Sequence, residues 1–333
     1  MLGGMAGKQK ISPRRIAGER DLIAAIRKRA GQRAVYASRG ILNLGIGDDC
    51  AVLRPRRGQE LVVTTDLSLE NVHFRRDWHP PQSVGHRCLA RGLSDLAAMG
   101  ARAEAAFLSL AIPAELTGKW MAGFLEGFFA LADEHGVPLA GGDMAKSPLV
   151  VADIVLVGST PEGKALLRSG ARAGDLIYVT GALGGAAAEL DALARRSGAF
   201  RGAGKEGHPN LYPAPRLAAG RKLLRLATAS IDVSDGLSTD LRHLCEESSL
   251  AAEVDLGDLP IDARATLEQA LHGGEDYELL FTASPRTPVP AQLAGVAVQA
   301  IGRMKKKSKR PQVELVDGRS RTPLAARGWE HFR

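Results

Sequence analysis

Five times along this chain, a short apolar or small-residue run leads into a carboxylate set beside glycine, serine or threonine. The places are Gly47-Asp48-Asp49, Thr64-Thr65-Asp66, Ser94-Asp95, Gly141-Gly142-Asp143 and Ile231-Asp232-Val233-Ser234-Asp235-Gly236. Each motif also has an ordinary use, since Asp and Ser cap helices and Asp-Gly makes turns. Five in one chain of formal net charge +7 point further. Hard oxygen ligands gathered from several element ends suit Mg²⁺, and Mg²⁺ usually serves phosphate chemistry. The fold must therefore carry these element ends to one place.

The patterns between the motifs alternate strand and helix. Glu19–Arg33 reads as an amphipathic helix with Leu22, Ile23 and Ile26 on its apolar face. Leu61–Thr65 reads as a strand ending at Asp66, and Ser83–Met99 as a helix stopped by Gly100. Ala105–Ala111 and Leu149–Val157 read as strands, with a helix at Thr117–His135 and a short strand, Val137–Leu139, before Gly141-Gly142-Asp143. A second unit follows, with strands at Leu176–Thr180, Ser230–Val233, Ala252–Leu256, Tyr277–Thr282 and Val296–Gly302. Its helices are expected at Ala186–Arg196, Arg216–Ala227 and Leu237–Ser248. The expected architecture is α/β (α+β): a disordered tail over 1–18, an N-terminal mixed-sheet domain over 19–160 and a C-terminal α/β domain over 161–333. Two domains suit 333 residues, because single cores seldom grow past about 250–300.

Composition excludes several classes. No run approaches the roughly 18–20 apolar residues of a membrane span, and the N-terminus lacks the apolar core of a signal peptide. The three cysteines, Cys50, Cys88 and Cys245, are odd in number and widely spaced, which suits a reducing cytoplasm and no disulfide framework. The positive charge gathers in Lys8–Arg15, Arg27-Lys28-Arg29 and Arg303–Arg310 without aromatic residues between. Such runs offer no stacking platform for bases, so they read as solvated tails and a loop tip, with no nucleic-acid partner.

Nucleotide-binding motifs are absent in their usual forms. No GxxxxGK[ST] occurs. Gly45-Ile46-Gly47 begins like a dinucleotide fingerprint, but Cys50 replaces the third glycine and carboxylates stand where a pyrophosphate would approach. Nucleotide phosphates would have to be held through metal. Two further segments stand out. Val179–Gly185 is a strand–turn–helix whose helix start could receive a phosphate. Gly273-Gly274-Glu275-Asp276-Tyr277-Glu278 sets three acids around a tyrosine at a strand entry.

Taken in order, GIGDDCAVL (45–53), TTDLSLENVHF (64–74), LSDLAAMGA (93–101), GGD (141–143), RSGARAGD (168–175), IDVSDGLSTDL (231–241) and HGGEDYELLF (272–281) resemble the thiamine-monophosphate kinase family. That family lies within the superfamily of aminoimidazole ribonucleotide synthetase-like ATP-binding proteins. The resemblance runs from about Gly18 to Phe332. It implies a two-domain fold, a homodimer paired through the N-terminal sheets, and transfer of the ATP γ-phosphoryl to thiamine monophosphate with several Mg²⁺ ions. By the same resemblance Asp49, Thr64, Thr65, Asp66, Asp95, Asp143, Asp232 and Asp235 fall on metal positions. Arg168, Ser234 and Gly142 fall on ATP positions, and His73, Glu275 and Trp329 on substrate positions. One departure is Met144-Ala145-Lys146 after Gly142-Asp143, where the family usually carries a hydroxyl residue.

The expected chemistry is direct in-line phosphoryl transfer. The acceptor is already an ionised phosphate, so no covalent nucleophile is needed and the obstacle is repulsion between two anions. The rivals are another ATP-using enzyme of the same superfamily, of the cyclo-ligase or selenophosphate synthetase type, a basic RNA-binding module, and an inactive metal-binding scaffold. A selenophosphate synthetase would want a reactive Cys near the N-terminus, and the only early one, Cys50, sits inside an acidic motif.

Overall fold

The computed structural model describes residues 19–31, 40–196, 207–307 and 312–332. The expected tail over 1–18 lies outside them, as does the end of the basic run, 308–310. The elements are α1 (Glu19–Gly31), β1 (Leu42–Leu44), β2 (Val52–Leu53), β3 (Gln59–Leu69), α2 (Pro81–Ala98), β4 (Arg102–Ile112), α3 (Lys119–His135), β5 (Leu139–Lys146) and β6 (Val151–Pro161). There follow β7 (Leu176–Thr180), α4 (Gly185–Ala194), α5 (Leu217–Leu223), β8 (Ala229–Asp232), α6 (Leu237–Glu247), β9 (Leu250–Asp255), α7 (Leu267–His272) and β10 (Leu279–Ala283). The last are β11 (Gln292–Leu293), β12 (Val296–Lys306), β13 (Val313–Asp317) and β14 (Ser320–Pro323).

Two sheets organise the chain. The first has strand order β3-β6-β4-β5, with only the β4/β5 pair parallel. The second runs β14-β13-β9-β12-β7-β10-β8, with β11 added beside β12. Helices α2 and α3 cover one face of the first sheet. They approach closely because glycines face backbone: a Cβ on Gly85 would sit 1.9 Å from the Phe124 carbonyl oxygen, and one on Gly127 1.8 Å from that of Gln82. Helix α2 begins with proline, whose missing N–H costs nothing in a first turn. It is buried nearly all round, since it also touches α5 and β8 of the second unit. Helix α3 ends at Gly136 in the left-handed conformation, φ 66°, as its sequence position led us to expect.

The other face of β3 is open. Strand alternation turns Leu61, Val63 and Leu67 outward, at 39, 62 and 47% exposure, while Val62, Thr64, Asp66 and Ser68 turn inward. No helix among the described residues is long and apolar enough to cross a membrane.

Several expectations need correction. Strands β3 and β5 do not stop before their acidic motifs but run through them, so Asp66 and Asp143 are strand residues. The apolar face expected of α1 is narrower, with Leu22 buried and Ile23 41% exposed. Arg303–Lys306 is not loop: it extends β12, where Met304 is buried and Lys305 pairs with Glu253 at 3.1 Å.

Candidate active site

The two sheets meet at a cavity of about 440 Å³. Strand β3 brings Asp66, and α2 brings Arg91 and Asp95 one turn apart. The end of β8 and the turn after it bring Asp232, Ser234 and Asp235. The loop into β10 brings Glu275 and Tyr277, and the segment after β3 brings His73. Trp329 and His331 come from the segment after β14.

A buried carboxylate, Asp232, and a half-buried one, Asp95, face one another across the units. Ser94 Oγ donates to Asp232 Oδ2 at 2.6 Å, and the Thr64 hydroxyl donates to Asp95. Burial pushes Asp232 up to about 7, and the neighbouring Asp95 charge adds to the rise. Burial also raises Asp95, Asp66 and Asp235 from the ordinary aspartate value. Asp235, Asp240 and His243 offer ligand atoms within 4.8 Å of one another. Asp240 is itself engaged by the backbone, accepting from Asp235 N–H at 3.1 Å and Gly236 N–H at 3.0 Å.

The opposite charge is just as organised. Burial would raise Glu275, but Arg87 at 2.7 Å and Arg91 at 3.6 Å hold it low. Asn210 Nδ2 donates to its other oxygen at 3.1 Å. His73 accepts the Leu69 N–H on Nδ1 at 3.0 Å, which leaves the proton of the neutral ring on Nε2. Burial drives His73 down to about 4, with Arg91 adding to the shift, so the ring is neutral near pH 7. Its ring lies 5.2 Å from His331, which in turn meets Trp329 edge-on at 5.7 Å. The segment is pinned by its backbone: Trp329 N–H donates to the Asp235 carbonyl at 3.1 Å and Gly328 N–H to Thr239 Oγ1 at 3.1 Å. A Cβ at position 328 would lie 2.1 Å from that same Asp235 carbonyl, so only glycine fits there.

Of the residues singled out in the sequence, Asp66, His73, Asp95, Asp232, Ser234, Asp235, Glu275 and Trp329 line this cavity. Thr64 reaches it through Asp95. Arg168 is exposed, but its charge is felt by Asp95, Asp232 and Asp235. Asp49, Gly142 and Asp143 are exposed and outside the lining, and Thr65 is exposed on the strand position facing away from Thr64 and Asp66. The helix start after Val179–Gly184 is already occupied. Asp276 Oδ2 accepts the Gly184 N–H at 2.6 Å and Oδ1 the Ala186 N–H at 3.1 Å, so the donors expected for a phosphate are already paired. Sequence reading passed over Arg87 and Arg91. Their spacing from Asp95 on the same helix, eight and four residues, was the available sign.

Residues 47–160 match the family described as AIR synthase related protein, N-terminal domain, and residues 172–313 match its C-terminal domain. Fold and cavity thus define an α/β protein with two AIR-synthase-related domains. Within that class the chain belongs to the thiamine-monophosphate kinase family. It is 39% identical over 282 residues to the thiamine-monophosphate kinase of Salmonella typhimurium, covering 81% of this chain and 83% of that one. It is 34% identical over 333 residues to that of Haemophilus influenzae, covering 95 and 98%. The crystal structure of thiamine-monophosphate kinase from Stenotrophomonas maltophilia K279a superposes with a TM-score of 0.77 at 36% identity, covering 87% of this chain and 95% of that one. A structure described as AaThiL complexed with AMPPCP and TMP gives a TM-score of 0.73 at 29% identity, covering 95 and 97%. Likeness to the hydrogenase maturation protein HypE, at 16% identity and a TM-score of 0.67, is a likeness of fold alone.

Proposed function

We propose that the chain transfers the γ-phosphoryl group of ATP to thiamine monophosphate, giving thiamine diphosphate and ADP. One observation carries this reading: carboxylates from both sheet units and the aromatic Trp329 line a single cavity. Its size suits a small-molecule site, and the family membership supplies the substrates. Magnesium fits the donor set, because the half-buried Asp95 and the buried Asp232 are carboxylates whose charges repel each other. Asp66, Asp95, Asp232 and Asp235 are the residues to hold it, with Asp49 and Asp143 joining from the exposed loop and strand. When bound, magnesium neutralises and aligns the two phosphate groups.

The remaining groups bind and orient. Thiamine carries a cationic thiazolium, which suits the face of Trp329 and the charge of Glu275. His73 holds a proton at Nε2 and offers it as a neutral donor. Arg168 and Ser234 suit the nucleotide phosphates. No side chain needs to act as a base, because the acceptor oxygen is already ionised.

We propose further that the protein is a homodimer paired through the open face of β3, supported by its three exposed aliphatic side chains. The functional division falls near Pro161. The three cysteines are free thiols, which suits a reducing cytoplasm. The assay is direct: purified protein with ATP, Mg²⁺ and thiamine monophosphate should form thiamine diphosphate and ADP in equal amounts. Thiamine monophosphate left intact, with the protein folded, would refute the reading.

A further inference from the structure

Arg91 stands in this acidic cavity with part of its hydrogen-bonding capacity unused. Its Nε donates to Asp66 Oδ1 at 2.8 Å, and Nη2 is also 2.8 Å from that oxygen. Nη1 lies 3.6 Å from Glu275 Oε1, beyond hydrogen-bond reach. Among the described residues Nη1 has no acceptor within hydrogen-bond reach, and the Arg91 side chain is only 14% exposed. A guanidinium N–H with only a long ion pair and solvent for partners is open to a better acceptor. Here those N–H groups border the cavity.

The two other arginines nearby are spent. Arg87 gives Nη1 to the Asn210 carbonyl and Nη2 to the His73 carbonyl at 2.9 Å and to Glu275. Arg75 is 48% exposed and gives its fork to Asp77 at 3.0 and 2.8 Å. Arg91 alone of the three combines burial, cavity access and free donors. Its position is intermediate as well. Its charge acts on His73, Glu275 and Tyr277 on one side, and on Asp66, Asp95 and Asp235 on the other. An acceptor phosphate must lie between those same groups, with its ring among the first and its reacting oxygen near the second. A planar fork presents parallel N–H bonds that match two phosphate oxygens.

We infer that Arg91 is a substrate-contacting residue that binds the phosphate of thiamine monophosphate through Nη1 and the second N–H of Nη2. Asp66 and Glu275 hold the guanidinium in place for this. The inference rests on the proposed kinase reading and adds to it the group that distinguishes thiamine monophosphate from thiamine.

The test is a pair of calorimetric titrations, thiamine monophosphate and thiamine, into the wild-type protein, Arg91→Gln and Arg91→Lys without ATP. The wild type should bind the monophosphate more tightly. Arg91→Gln should lose roughly 10- to 100-fold in affinity for the monophosphate, the range of one or two charge-assisted hydrogen bonds. Thiamine affinity should hold or tighten, because Asp66 loses its cationic partner and a competing positive charge leaves the cavity. Arg91→Lys should recover only part of the ratio, since it restores charge but not the fork. An unchanged ratio in Arg91→Gln, or full recovery in Arg91→Lys, overturns the inference. Should Arg91→Gln not fold, the lysine variant decides alone: a ratio equal to the wild type's refutes the contact. A wild type that binds both equally also overturns the role of Arg91. A wild type that binds neither sinks the kinase reading itself.

Discussion

At the scale of single residues, charge separates a ligand from a filler. Asp95→Asn keeps the shape that accepts the Thr64 hydroxyl and removes the repulsion with Asp232. The variant should melt no lower than the wild type without metal, yet lose most of its turnover, a cost of about several kcal/mol in the transition state. Turnover at saturating Mg²⁺, set beside melting curves with and without it, checks both halves. Near-normal turnover would remove Asp95 from the metal set. Trp329 is half exposed, so little of its surface supports the core. Trp329→Ala should therefore weaken binding of thiamine monophosphate by about 0.5–2 kcal/mol while ATP affinity and melting temperature stay put. A sharply lower melting temperature with affinity preserved would make it a packing residue. The acids of the cavity were legible in the sequence because carboxylates near glycine, serine or threonine recur at element ends. Arg91 was not, because an arginine on a helix usually reads as solvated and nothing local marks its partners, 25 residues away for Asp66.

At the scale of elements, helix α4 shows how a tertiary contact overrides a local pattern. Its start looked ready for a phosphate, and the acid that fills it comes from 92 residues further along. Burial pushes Asp276 up to about 7, although both backbone N–H groups pull the other way. The folded state thus holds its proton more tightly than the unfolded chain, where the pKa is near 3.8. This contribution to stability is full below about pH 4 and fades as pH rises through 7. Asp276→Asn has no proton to lose there. Its melting temperature relative to the wild type should rise from pH 5 to pH 8. A difference that stays flat across that range would show that Asp276 is charged throughout. Strand and helix types in both units were readable from period and turn residues, but several limits were not. Strands β3 and β5 continue through polar residues because ladder pairing to β6 and β4 holds them. Strands β13 and β14 and helix α7, at five, four and six residues, are too short to carry a period of their own.

At the scale of the molecule, the outward face of β3 remains to be accounted for. Val63→Asp together with Leu67→Asp places two charges on it without touching the inward row. Light scattering after gel filtration should then find a monomer where the wild type gives twice the mass. A wild type already at monomer mass would refute the pairing. The cavity belongs to both units at once, joined by Ser94 to Asp232 and by Arg87 to Glu275. One piece of its aromatic wall, Trp329, belongs to neither core. Trp329 hangs on a short stretch beyond β14, tied down by backbone bonds to the Asp235 turn and Thr239 and by Arg327, 3.3 Å from Glu268. A protease that nicks the exposed backbone near Ala325 would leave both sheets intact by circular dichroism, yet release the wall. Such clipped material would look sound on most quality checks and still bind its vitamin substrate poorly.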